Sequence, residues 1–120
     1  MKENPIRDKS FAFALRVVKL AKYLEHEKKE FVLSRQVLRS GTAIGALVRE
    51  AEHAESKADF IHKMSIALKE ANETLYWLEL LHQGEYVGEQ SFESIRSDSE
   101  ELIKLLSAIV KTSKVSKRSE

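Results

Sequence analysis

The sequence has no cysteine, and only one proline and four glycines in 120 residues. Without cysteine there is no disulfide framework and no thiolate metal site, which fits a reducing cytoplasm. Proline and glycine interrupt regular structure, so their scarcity favours long helices. No apolar run approaches the roughly 18 residues that a membrane span requires. The stretch from Met1 to Ser10 is polar and charged, unlike the apolar centre of a secretory signal. The expected location is the cytoplasm.

A large excess of charge is also missing: the net charge is +1, in a composition that is 42% hydrophobic and 32% charged. Such a mixture folds rather than remaining disordered. The charge is unevenly placed. Residues 1–29 carry eight Lys/Arg and four Asp/Glu, a net of +4. Residues 30–110 carry eight and fourteen, a net of −6, and residues 111–120 carry four and one, a net of +3. Basic ends on an acidic body point to an anionic partner; solvated helix faces with a soluble tail account for the same pattern.

Four segments repeat apolar residues at helical spacing. The first runs from about Pro5 to Glu27, with Asn4 as its cap and Phe13, Val17, Leu20 and Leu24 on its inner stripe. The second runs from about Ser34, its expected cap, to Ala54, with Val37, Ile44, Val48 and Ala51 inward. Gly41 and Gly45 fall four residues apart on one face of this helix, with Ser40, Ala43 and Ala46 nearby. They mark either a close approach between subunits or a narrow place inside the bundle's own core. The third segment runs from about Lys57 to His82. Ser56 and Asp59 have capping-box spacing, and Phe60, Met64, Ala67, Ala71, Leu75 and Leu78 lie inward. Tyr76 and Trp77 are adjacent, so at most one can point squarely inward; Trp77 is read first as a buried core residue and alternatively as an interface aromatic. Gly84 is the expected stop. The fourth segment runs from about Gln90 to Lys114, with Phe92, Ile95, Leu102, Leu106, Ile109 and Val110 inward. Short links between long helices predict an all-α, antiparallel up-down-up-down four-helix bundle. It forms a single domain over residues 1–114, followed by a flexible basic tail at 115–120.

The patterns that could carry chemistry are few. Glu50 with His53 and Glu79 with His82 are both Glu-x-x-His pairs, the motif of di-iron bundles, for which Glu25 and Glu100 or Glu101 could complete the set. The helix between Lys57 and Glu79 is roughly 33 Å long at the standard rise, which puts the two pairs at opposite ends. No metal and no cofactor is expected. Arg49 and His53 are separated by three residues, closer than the Arg–His spacing of a large class of helical endoribonucleases. Asp8, Asp59 and Asp98 are scattered and form no acid–base pair. No catalytic residue is expected. The basic residues are more coherent: Arg35, Arg39 and Arg49 follow one stripe of the second helix, and Arg16 and Lys19 share a face of the first. Such stripes contact phosphates, or else form ordinary solvated faces with local ion pairs.

The run Gln36-Val37-Leu38-Arg39-Ser40-Gly41-Thr42-Ala43-Ile44-Gly45-Ala46, continued by Arg49-Glu50-Ala51, resembles the bundle proteins encoded within 23S rRNA intervening sequences of bacteria. So do Asp59 to Lys63, Ile66 to Ala71 and Glu73 to Leu78, and Lys9-Ser10-Phe11 with Phe13-Ala14 resembles the family's opening. The likeness covers about residues 6–112. One departure is Leu47, where the family often has asparagine, so no polar role is carried over there. The resemblance implies a ring-forming bundle, a homopentamer, without enzymatic activity. The family name records where the genes sit and does not establish binding to ribosomal RNA. A related branch resembles the accessory variability determinant proteins of diversity-generating retroelements, basic pentameric barrels that bind nucleic acid and a reverse transcriptase; a net charge of +1 argues against carrying that property over. The function expected is a non-catalytic oligomeric scaffold that binds RNA or a nucleoprotein partner through Arg16, Lys19, Arg35, Arg39 and Arg49. The alternative is a structural or protein-binding bundle with no nucleic-acid role. No membrane contact is expected.

Overall fold

The first three helices begin where a side chain accepts otherwise free backbone N–H groups. A computed structural model describes residues 4–119, so residues 1–3 of the expected domain and residue 120 of the expected tail lie outside it. Helix α1 spans Pro5–His26, and its cap Asn4 accepts the Arg7 N–H at 3.2 Å. Helix α2 spans Leu33–Glu52. Its cap is a correction to the sequence reading. Ser34 lies inside the helix, buried, and the Glu30 carboxylate instead accepts the N–H groups of Val32, Leu33 and Ser34 at 3.2, 3.0 and 2.8 Å. A carboxylate at a helix start also meets the positive end of the helix dipole. Helix α3 spans Lys57–Gln83. Ser56 accepts the Asp59 N–H at 3.0 Å, and the Asp59 carboxylate reaches back to the Glu55 N–H at 3.2 Å, a capping box displaced by one residue. Gly84 follows α3 as expected but with an ordinary φ of −80°. The left-handed residue of this turn is Glu85, at φ 68°. Helix α4 spans Glu89–Ser119, past its expected end at Lys114.

Contacts between the helices run in opposite chain directions at every seam. From α1 to α2, Asn4 reaches Glu52 and Val17 meets Gly41. From α2 to α3, Thr74 pairs with Ser40 and Lys63 with Glu50. From α3 to α4, His82 meets Glu89 and Lys57 meets Ser116. From α1 to α4, Lys9 reaches Glu101 and Arg16 reaches Asp98. The helices form a square with sequential neighbours and an α1–α4 seam that is the loosest of the four. Among the described residues none of the helices is long and apolar enough to cross a membrane.

The core holds Phe13, Val17 and Leu24 of α1, Val37, Ile44 and Val48 of α2, and Leu102 and Leu106 of α4, all nearly inaccessible. In α3 the buried line is Ile61, Met64, Ala67, Ala71, Thr74, Leu78 and Leu81. Phe60 and Leu75, expected inside, sit half-buried on its flank; Leu20 of α1, where Ala21 is buried instead, and Ile109 of α4 are likewise half-buried. The spacing from Met64 onward alternates three and four, the seam of a coiled-coil-like pair, and Thr74 falls on it. Its hydroxyl lies 2.7 Å from the Glu70 carbonyl and 2.9 Å from Ser40 Oγ, and Ser40 donates to the Gln36 carbonyl at 3.1 Å. A buried hydroxyl is tolerated when it is bonded in this way.

Gly41 is buried against α1 of its own chain: a Cβ there would lie 2.8 Å from both Val17 γ-carbons. Gly45 is less confined, its nearest neighbour being the Ser10 carbonyl oxygen at 3.4 Å. Gly41→Ala should therefore lower stability by about 1 kcal/mol net, because overpacking a stiff valine outweighs the gain in helix propensity. Gly45→Ala should raise stability by about 0.5–1 kcal/mol through propensity alone. Urea unfolding of the two variants checks the opposite signs, and adding Val17→Ala should relieve the Gly41→Ala penalty specifically.

Candidate nucleic-acid interface

The five cations read from the sequence do not form one surface. Arg16 turns toward α4, donating to Asp98 Oδ2 at 2.7 Å and to Ser94 Oγ at 3.1 Å. Arg39 turns toward α3, where it bonds Glu70 at 3.3 Å and pairs closely with Glu73. Arg49 turns the other way, toward α1, with its guanidinium 5.3 Å from the centre of the Phe11 ring. Lys19 and Arg35 are exposed and have no ion-pair partner among the described residues. The α2 stripe is thus split between two grooves, and the two arginines that reach α3 and α4 are compensated by carboxylates.

Neutralisation is strongest around Glu73. The Trp77 Nε1–H donates to Glu73 Oε2 at 2.9 Å, and Tyr76 packs edge-on against Trp77 at 5.0 Å between ring centres. Trp77 is half-buried and Tyr76 is 54% exposed, so of this pair the tryptophan takes the inner position. The indole N–H, partly opposed by burial and helped by Arg39, holds the Glu73 carboxyl below its ordinary value. Glu73 was not among the sequence candidates. Its only local signal was the four-residue spacing to Trp77; its arginine partner comes from another helix.

The face between α1 and α2 is apolar where the arginines leave it. Phe11 and Leu15 are 52% and 50% exposed. Beside them Ala14, Thr42, Gly45 and Ala46 line a shallow groove of about 290 Å³, closed at one end by Arg7 and Arg49. The size of these side chains, more than the glycines alone, makes the depression.

The Glu-x-x-His pairs stand at opposite ends of the bundle. Glu50 and His53 close α2, whereas Glu79 and His82 close α3, whose 27 residues lie between. Glu50 pairs with Lys63 at 3.1 Å. His82 Nε2 lies 2.7 Å from Glu89 and its ring stacks on Phe92. Among the described residues no group of three or more His, Cys, Asp or Glu is placed to hold a metal ion.

The family model of the 23S rRNA-intervening sequence protein matches residues 2–108. The chain belongs to this family. A solved structure similar to this family member is that of a protein with unknown function from the S23 ribosomal protein family of Bacteroides thetaiotaomicron. The two are 60% identical, the match covers 88% of this chain and 98% of that chain, and the TM-score is 0.87. Comparison with curated proteins gives no match.

In this intervening-sequence family member, the Arg39–Glu73–Trp77 arrangement can be read through its one tryptophan. Because Glu73 is depressed in the folded state, its contribution to stability is complete above the ordinary carboxyl value and is lost as pH falls through the depressed one. Trp77 emission should therefore titrate with a midpoint below 4.5, the ordinary value. Arg39→Ala should move that midpoint upward. A midpoint that does not move would show that Arg39 and Glu73 are uncoupled.

Proposed function

We propose that the protein is a non-catalytic helical scaffold that self-associates through the α1–α2 face and binds RNA or a nucleoprotein partner in the cytoplasm. The observation that carries this reading is the exposure of Phe11 and Leu15 beside the small-residue groove at Ala14, Gly45 and Ala46. Contiguous large apolar side chains left in water mark an interaction surface rather than a finished monomer exterior. The sequence resemblance supports a homopentamer. On a ring, one or two free cations per subunit are repeated around a rim, and weak binding at each becomes avidity without any new chemistry.

Within that reading the cations divide by role. Lys19 and Arg35 are free to meet phosphate. Arg49 is committed to Phe11 and to the rim of the α1–α2 groove. Arg16 and Arg39 are engaged with Asp98, Glu70 and Glu73. The same compensation supports a second reading, a scaffold that binds only protein, because the body of the chain is acidic.

Light scattering of the pure protein should give a multiple of the 13.7 kDa chain mass, and Leu15→Glu should shift it toward the single chain. A single-chain mass for the unmodified protein at micromolar concentration would remove the scaffold reading. RNA affinity should fall with salt. On single-stranded RNA, Arg35→Ala should lower the salt slope by about 0.7 for each phosphate that the arginine neutralises. Arg39→Ala should change the slope less than Arg35→Ala does. Unrelated RNA sequences should respond alike, since backbone contacts carry no base identity. Absence of RNA binding at low salt would leave the protein-binding scaffold.

A further inference from the structure

The loose α1–α4 seam opens into a cleft of about 460 Å³ at the end of the bundle where α4 begins. Its cause lies in residue size. Upstream, Lys9 and Arg16 bridge to α4. Below Arg16, the α1 side presents Lys19, Leu20 and Tyr23, while the facing positions of the turn and of α4 are Gly88 and Ser91. Two small residues cannot fill the space opposite a leucine and a tyrosine, and close-packed interiors seldom leave such a gap. Val87 and Ile95, both nearly buried, form an apolar floor with Leu20.

Gly88 is not required by the backbone or by packing. Its φ is not positive, and a Cβ built there would meet nothing within 4 Å. Its lack of a side chain keeps the mouth of the cleft open. The charged residues that line the cleft, Arg16 and Lys19, are both basic. Arg16 is spoken for by Asp98, but Lys19 has no carboxylate partner among the described residues. The Tyr23 ring is 42% exposed at the same rim.

We infer that this cleft is a binding site for a small aromatic anion. A flat ring fits the apolar floor beside Tyr23, and its anionic group meets Lys19 at the edge, with Ser91 and Tyr23 hydroxyls as further donors. The volume lies within the range of small-molecule sites, about 300–1,000 Å³, in which a few polar groups orient a mostly apolar contact. A free nucleoside monophosphate and an unpaired nucleotide of single-stranded RNA share this chemistry. The site does not depend on the RNA reading above, because a free aromatic anion suffices to fill it.

The test uses the full-length chain and two probes, anilinonaphthalene sulfonate by fluorescence and adenosine monophosphate by calorimetry. Both should bind saturably at one site per chain. Gly88→Leu, which adds a side chain into open space and leaves the core untouched, should weaken both by about tenfold or more. Lys19→Glu should weaken both and reduce the dependence on salt. Circular dichroism should show the same helix content in both variants. Displacement of the probes by single-stranded but not duplex RNA assigns the occupant to an unpaired nucleotide. Failure of RNA to displace them assigns it to a free aromatic anion. Absence of saturable binding of either probe to the unmodified protein, or binding that Gly88→Leu leaves unchanged, would overturn the site.

Discussion

Val17 packs on the bare backbone of Gly41, and much of the surface of this bundle follows from that contact. With no Cβ at residue 41, α1 and α2 approach more closely than any other residue would allow. The same approach brings Ser10 over Gly45 and leaves Ala14, Thr42 and Ala46 facing one another across the outer side of the crossing. Small residues on both helices then make a trough where most helix pairs show a ridge. Phe11 and Leu15 stand on its edge, each about half exposed, with the Arg49 guanidinium over the Phe11 ring. A core-packing constraint and an exposed apolar face are therefore two sides of one helix crossing.

Across the opposite side of α2 the seam is polar at its centre. Thr74 and Ser40 bond to each other in the interior, and a ladder of charge closes over them outside, from Arg39 to Glu70 and Glu73 and on to the Trp77 indole. A buried hydroxyl pair favours this register of α2 along α3: a shift of one residue breaks the bond between them and leaves each hydroxyl only the carbonyl of its own helix, Gln36 or Glu70, at a cost of about 0.5–1.5 kcal/mol. The charged ladder is exposed and contributes little to stability by itself. Its larger effect is electrostatic: it removes Arg39 from the set of cations available to an external anion.

The architecture was legible in the sequence wherever the determining residues were close along the chain. Asn4, the Ser56–Asp59 box, the inner stripe of α2 and that of α1 apart from Leu20 all rest on spacings of three or four. The inner stripe of α3 was less so, since Phe60 and Leu75 are more apolar than Ile61 and Thr74 taken together, and only the packed seam reveals that a bonded threonine occupies the interior. Ser34 is a good capping residue by type, but Glu30 can reach three N–H groups at once from outside the helix. Gly84 is the stop that the sequence predicts, yet the left-handed conformation of the turn falls to the next residue, Glu85. The basic stripe could be found but not weighed. Asp98, Glu70 and Glu73 are 82, 31 and 34 residues from the arginines they meet, and no helical periodicity reports a partner on another helix.

The four seams also differ in how they are held, and that difference decides where a ligand can enter. The α1–α2, α2–α3 and α3–α4 pairs are joined by short turns, so closing each costs little chain entropy. The α1–α4 pair joins the two ends of the bundle and depends on the other three for its alignment. Its cross-links, Lys9–Glu101 and Arg16–Asp98, are exposed ion pairs, each worth no more than about 1 kcal/mol. A cavity costs stability in proportion to the packing it forgoes, and the least is forgone where packing is already loose. Small residues at 88 and 91 can therefore persist beside this seam, whereas the space at Gly41, where α1 and α2 cross closely, is filled by Val17. The same bundle thus uses one glycine to bring two helices together and another, Gly88, in a place where nothing comes to meet it.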